Sequence, residues 1–190
     1  MHASFAGKLL VAMPGIGDPR FDKAVIFMCT HTEEAAMGLI VNKPREELKL
    51  GDVLGHLGIE ARDGLAPRLV LDGGPVRPDR GFVLHSQDFA ADDATQAVAP
   101  GISLTATREI LEAVGRPGAD APRRFVLALG CSGWGAGQLE SELAKNAWLV
   151  IDCAEEDAIV FDEPHEGKWA QAIRRLGFDP SQLHGEMGRA

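Results

Sequence analysis

The stretch GCSGWGAGQLESELAKNAW, from Gly130 to Trp148, constrains this chain more than any other. Four glycines, at 130, 133, 135 and 137, stand between an apolar run and a helical pattern. Residues 123–129 predict a strand, and Leu139 and Leu143, at i and i+4, mark the buried side of a helix over 137–146. A strand, a glycine loop and a helix in this order can frame a site for an anion or small ligand, because glycine frees backbone N–H groups beside a helix N-terminus. The spacing G-x-x-G-x-G-x-G lacks both GK[ST] and G-x-G-x-x-G, so neither standard nucleotide motif applies. Ser132 has Gly130 two residues before it but Trp134 two after, which fails the nucleophile elbow. Cys131 gains reactivity only if the following helix exposes and activates it; a buried free cysteine behaves as a small hydrophobe. The plainest use of the glycines is a tight strand-to-helix turn beneath Trp134.

The chain has 190 residues, 45% hydrophobic and 25% charged, which suits one folded domain over 1–190 and not a disordered chain. A formal charge of −9, with the basic pairs Arg123-Arg124 and Arg174-Arg175 far apart, argues against direct nucleic-acid binding. Cys29, Cys131 and Cys153 are odd in number and show no C-x-x-C, pointing to a reducing cytoplasm. The first apolar run, 9–13, is too short for a signal peptide, and no run approaches a membrane span of about 20 residues. The six histidines form no HExxH or close metal pair, so neither a metal nor a cofactor is expected. His31 and His85 each end a predicted strand, where a polar cap is the commoner role than a general base. Glu140, in the first turn of the helix, has reason enough in the helix dipole.

Taken in order, 8–13 and 24–31 predict strands, and 36–42 a third that forms a hairpin with the second and stops before Pro44. Residues 50–57 predict a helix closed by Gly58. Strands over 68–72 and 81–85 are joined by the turn-forming GGPVRPDR, and 86–100 predicts a loop. Thr105 or Thr107 caps a helix running to Val114. Residues 148–153 and 158–161 predict a hairpin, and Pro164 suits the first turn of a helix carrying Trp169, Ile173 and Leu176 up to Gly177. The polar tail, 179–190, is expected to be loosely held. Strands in pairs with helices between the pairs imply an α+β class with a mixed, mostly antiparallel sheet and flanking helices.

Several segments together resemble the YqgE/AlgH family, a bacterial group often labelled transcriptional regulators. They are GKLLVAMP, AMGLIVNKP, LDGGPVRPDRGFVLH, LGCSGWGAGQLESELAKNAWL and KWAQAIRRLG, in family order across nearly the whole chain. The resemblance implies a branched sheet curled into a pseudo-barrel, and no defined chemistry, since the regulator label came from genetics. It also implies that Asn42, Gly73 and Gly74 converge near the glycine segment. Candidate ligand contacts are thus Asn42, Gly73, Gly74, Cys131, Ser132, Gly133, Trp134, Gly135, Gly137 and Gln138. One departure is Cys131-Ser132, where the family often has Tyr-Ala or similar, so any role of those two side chains is specific to this chain.

No complete catalytic constellation stands in the sequence. The leading expectation is a cytoplasmic protein acting through a protein partner or small ligand and not by gripping DNA. Its rival is an enzyme or small-anion-binding protein using residues 130–137. A third reading gives those glycines only to the fold, so that Gly135→Ala lowers stability and alters no binding.

Overall fold

The computed structural model describes residues 4–116, 118 and 120–183. Among the described residues ten strands make one branched sheet: β1 (Lys8–Ala12), β2 (Val25–His31), β3 (Ala35–Ile40), β4 (Pro44–Lys49), β5 (Leu69–Asp72), β6 (Val76–His85), β7 (Thr95–Ala99), β8 (Ile102–Thr105), β9 (Phe125–Gly135) and β10 (Trp148–Asp152). The helices are α1 (Leu50–His56), α2 (Arg108–Gly115), α3 (Gln138–Ala144), α4 (Ala158–Phe161) and α5 (Lys168–Arg175). The main path runs β10-β1-β2-β3-β9-β6-β8-β7 and curls into a half-barrel, with β4 and β5 branching off. Every pairing is antiparallel except β5 with β9. The α+β expectation therefore holds.

Alternation along the first strands divides the core. Leu9, Val11, Val25, Phe27 and Leu39 face one cluster with α4 and α5, while Leu10, Ala12, Ile26, Met28 and Ile40 face a second containing Trp134 and Trp148. A third cluster lies under α1 and α2 and takes Leu54, Ile110 and Val114. Trp169, Ala172 and Ile173 fix α5, whose Trp169 Nε1–H donates to the Ala12 carbonyl at 2.8 Å.

Several expectations need correction. Residues 130–135 are not a loop: β9 runs unbroken to Gly135, and the turn into α3 is only Ala136 and Gly137. The segment GGPVRPDR is not a simple turn, since β6 begins at Val76 and lies on the far side of β9 from β5. Within 86–100, the stretch Thr95–Ala99 is an edge strand on β8; its solvent-facing residues hide the period. β3 already ends at Ile40, and Pro44 opens β4, at a position where a strand tolerates proline. The run AIVF at 158–161 is a buried helical turn capped by Asp157, not a strand, and β10 pairs with β1 instead. Pro164 precedes α5, which starts only after Gly167. Within the tail, Asp179 caps the turn at Pro180–Gln182 and Leu183 packs on the core; residues 184–190 lie outside the described residues.

The interior also stores acid sensitivity. His165 is 6% exposed, and its Nδ1 has no hydrogen-bond partner among the described residues. Burial and the nearby Lys168 ammonium hold its pKa down to about 4, against the opposing pull of Glu163. The folded chain thus keeps His165 neutral where an unfolded one, titrating near 6.5, takes a proton. Stability is full above pH 6.5 and falls as pH drops towards 4, by about 1–3 kcal/mol. Buried His85, also shifted down, adds to the same window. Lys168, pushed down to about 8 by burial, acts above it. Urea titrations at pH 7 and 4.5 should show this loss, and His165→Gln should make it smaller.

Candidate functional site

Gly130 decides how the signature segment lies. Its φ of +77° inserts a bulge in β9, where the register with β6 also slips between Val76 and Gly81. Before it, the even residues Val126 and Ala128 enter the first core cluster; after it, the odd residue Cys131 does. That one-residue shift turns Trp134 to the other face, into the second cluster.

The bulge is locked by a crossing of backbones. The chain leaves β5 through Gly73 and Gly74 and passes across β9 to begin β6. The Gly73 N–H donates to the Leu129 carbonyl at 2.9 Å, and the Gly73 carbonyl accepts from Ile40 N–H at 3.0 Å and from Ser132 Oγ at 3.2 Å. A Cβ on Gly73 would meet the Gly130 carbonyl, one on Gly74 the Cys131 carbonyl and Ser132 Oγ, and one on Gly130 the Gly74 carbonyl, all under 3.0 Å. These three glycines serve close backbone approach.

Gly133 and Gly135 are different. Neither has a positive φ; a Cβ at Gly133 would lie 3.8 Å from Val76 Cγ2, and one at Gly135 would meet nothing within 4 Å. The fold places no demand on them.

Beyond Gly135, Gly137 (φ +68°) turns the chain into α3, whose Gln138 and Glu142 share one face with Lys145, the residue that caps its C-terminus. Glu142 Oε2 accepts both indole N–H groups, from Trp134 at 2.9 Å and Trp148 at 2.8 Å. Its Oε1 accepts from Gln138 Nε2 at 3.0 Å, and Gln138 Oε1 in turn accepts the Gly135 N–H at 3.1 Å. The two indoles meet edge-on with centroids 6.1 Å apart, and Phe21 adds a second edge contact to Trp148 at 5.6 Å.

This clamp floors an open groove of about 850 Å³ between β9, α3 and the loop after β1. Met13, Ile16 and Phe21 form one wall and Pro75 and Val76 the other. Trp134 is only 5% exposed, whereas Val76, at 43%, is one of two large apolar side chains left open among the described residues. Arg20 closes on Asp18, with the shortest bond 2.7 Å. Lys145 in the groove and Arg77 beside Val76 form no ion pair among the described residues.

Of the candidate contacts, Gly133, Trp134 and Gln138 line the groove, and Gly135 joins them through Gln138. Gly73 and Gly74 converge on Cys131 and Ser132 at the crossing behind it. Asn42 spends its amide elsewhere: Oδ1 accepts from Val25 N–H at 2.9 Å and Nδ2 donates to the Lys23 carbonyl at 2.8 Å. Gly137 and Glu140 border a separate pocket with His31. There His31 Nδ1 accepts the Phe5 N–H at 3.2 Å, so Nε2 carries the proton shared with Glu140 at 2.8 Å. His85 donates from Nδ1 to the Ser86 carbonyl and accepts at Nε2 from Thr105, both at 2.8 Å. Cys131 and Cys29 are buried with thiols pushed up by burial, and burial lifts Cys153 to about 12. Phe21, Val76, Glu142 and Trp148 escaped the list of candidate contacts. The available signal was a polar pair at i, i+4 that follows one tryptophan by four residues and precedes another by six.

Among the described residues no three metal-ligating side chains cluster, and no helix is long and apolar enough to cross a membrane. A family model described as AlgH-like matches residues 9–181. A UPF0301 protein from Caulobacter vibrioides is 48% identical over 184 residues, covering 97% of this chain and 93% of its own length. One from Ruegeria pomeroyi is 49% identical over 185 residues, covering 97% and 98%. The solution structure of the AlgH protein from Pseudomonas aeruginosa matches with a TM-score of 0.79 at 34% identity, over 100% of this chain and 98% of that one. A crystal structure from Corynebacterium diphtheriae, at 20% identity, TM-score 0.71 and coverage of 96% and 91%, supports the fold alone. The chain belongs to the AlgH-like family.

Proposed function

We propose that this chain is a cytoplasmic, non-catalytic binding protein that works through a partner or ligand seated in the groove over Trp134 and Trp148, and that any regulatory effect passes through that partner and not through direct DNA binding. The groove itself carries the reading: it is open, walled by apolar side chains, and floored by a carboxylate whose acceptors are taken by indole and amide donors. Enzymatic use of residues 130–137 has less behind it. Cys131 is buried with a raised pKa, the Ser132 hydroxyl donates to a backbone carbonyl, and Gly130, Gly133 and Gly135 lie in a strand, not in a phosphate-cradling loop.

The test is a screen of nucleotides, phosphorylated metabolites, organic acids and peptides, read by melting temperature and tryptophan fluorescence. A ligand at a hundredfold excess over its Kd adds about 2.7 kcal/mol, enough to register. Groove ligands should lose their effect in Val76→Glu, which alters only an exposed wall. A parallel mobility-shift titration with DNA fragments at moderate salt should show no sequence-specific retardation; tight specific retardation, or ligands indifferent to Val76→Glu, contradicts the proposal.

A further inference from the structure

The groove exposes backbone as well as side chains. β6 accompanies β9 only as far as Val76 opposite Cys131, and no described strand lies on that side of Gly133 and Gly135. Their other side is covered by β3, which pairs Ala35 with Gly135 and Met37 with Gly133. In an antiparallel ladder, alternate residues direct both N–H and C=O to the same side. The Gly135 N–H turns away from β3 to reach Gln138 Oε1 at 3.1 Å, so the N–H and C=O of Gly133, two residues earlier, point the same way into the groove. A side-chain amide thus already occupies one place that a neighbouring strand would fill. β7 and β10 end the sheet too, but they carry a side chain at every position. Here the strand is bare at two positions where the fold does not need glycine, the pattern expected where another backbone comes close.

The charges say what kind of chain fits. Within the groove Asp18 is neutralised by Arg20, and the Glu142 carboxylate is bonded to three N–H donors. Lys145, which lines the groove, forms no ion pair among the described residues and leaves a cation there on a chain of formal charge −9. Building on the binding role just described, we propose that the groove takes an extended acidic peptide of a partner protein as an added strand on the Gly133 edge of β9. Apolar residues of that peptide sit between Val76 and Phe21 over the two indoles, and acidic residues alternating with them face Lys145. Main-chain pairing supplies affinity and the alternating side chains supply selection, as in other cases of strand addition.

The probe is a pool of acetylated, amidated octapeptides with Val, Ile or Thr alternating with Asp or Glu, titrated into the ¹⁵N-labelled full chain. The expected result is saturable movement of the Gly133 and Gly135 amide signals and of the Trp134 and Trp148 indole signals. Binding should weaken at least tenfold when the peptide amides on the pairing side are N-methylated. A similar loss should follow when lysine replaces the acidic residues, and again in Lys145→Glu, an exposed change that leaves the fold intact. No saturable shift at these four residues, or binding indifferent to N-methylation, overturns the peptide proposal. If other compounds from the screen still bind in a Val76-dependent way, the groove keeps its binding role and only the peptide is wrong. If nothing binds there, both fall.

Discussion

Gly74→Ala should leave no cooperatively folded protein. Gly74 has a φ of +142°, and a Cβ there would enter the Cys131 carbonyl and Ser132 Oγ at under 3.0 Å. The backbone region alone costs about 1–3 kcal/mol for any residue but glycine. The overlap falls on main chain held by the Gly73 bonds to Leu129 and Ile40, so relief means pulling β5 and β6 off β9. The sum should exceed about 4 kcal/mol, a large share of the 5–15 kcal/mol that keeps a domain folded. Far-UV circular dichroism during urea titration should show no sigmoidal transition; a transition within about 1 kcal/mol of the parent would refute the crossing. Gly130→Ala should be nearly as severe, and because both act on one contact their effects should not add.

Glu142→Leu should lower stability by about 2–5 kcal/mol. The change removes the shared acceptor and leaves two indole N–H groups, on residues 5% and 3% exposed, with nothing to bond. Each orphaned buried donor costs about 1–3 kcal/mol. For a domain of this size each kcal/mol lowers the melting temperature by about 2–4 °C, so a drop of roughly 5–15 °C is expected. Glu142→Gln keeps a carbonyl oxygen and should recover about half of the loss. Calorimetry measures both; a drop below about 2 °C for leucine would show that the clamp carries no weight.

How far the sequence announces this structure depends on the kind of signal. The β2–β3 hairpin and the helices at 50–56, 108–115 and 168–175 are plain, because alternation or 3.6-residue spacing writes one buried face into each. The edge strand β7 has little to bury, so TQAVA shows no usable period. The run AIVF is apolar throughout, and four such residues do not distinguish a strand from a buried helical turn. The deepest misreading concerns the glycines. Clustered glycine reads as loop, yet here five glycines have two unrelated uses: Gly73, Gly74 and Gly130 permit backbones to cross, while Gly133 and Gly135 leave a strand bare. Only neighbours distant in sequence separate these uses. Glu142 was hidden for the same reason, since its role depends on tryptophans supplied by β9 and β10.

That division of the glycines is open to one direct measurement, equilibrium urea denaturation of the double variant Gly133→Val/Gly135→Val. Both positions are extended and have room for a Cβ, and valine suits a strand better than glycine by up to about 1 kcal/mol. The double variant should therefore be as stable as the parent or more so, by up to about 2 kcal/mol. A loss of more than about 2 kcal/mol would mean that the fold itself needs these glycines, and the bare edge of β9 would no longer mark a binding site.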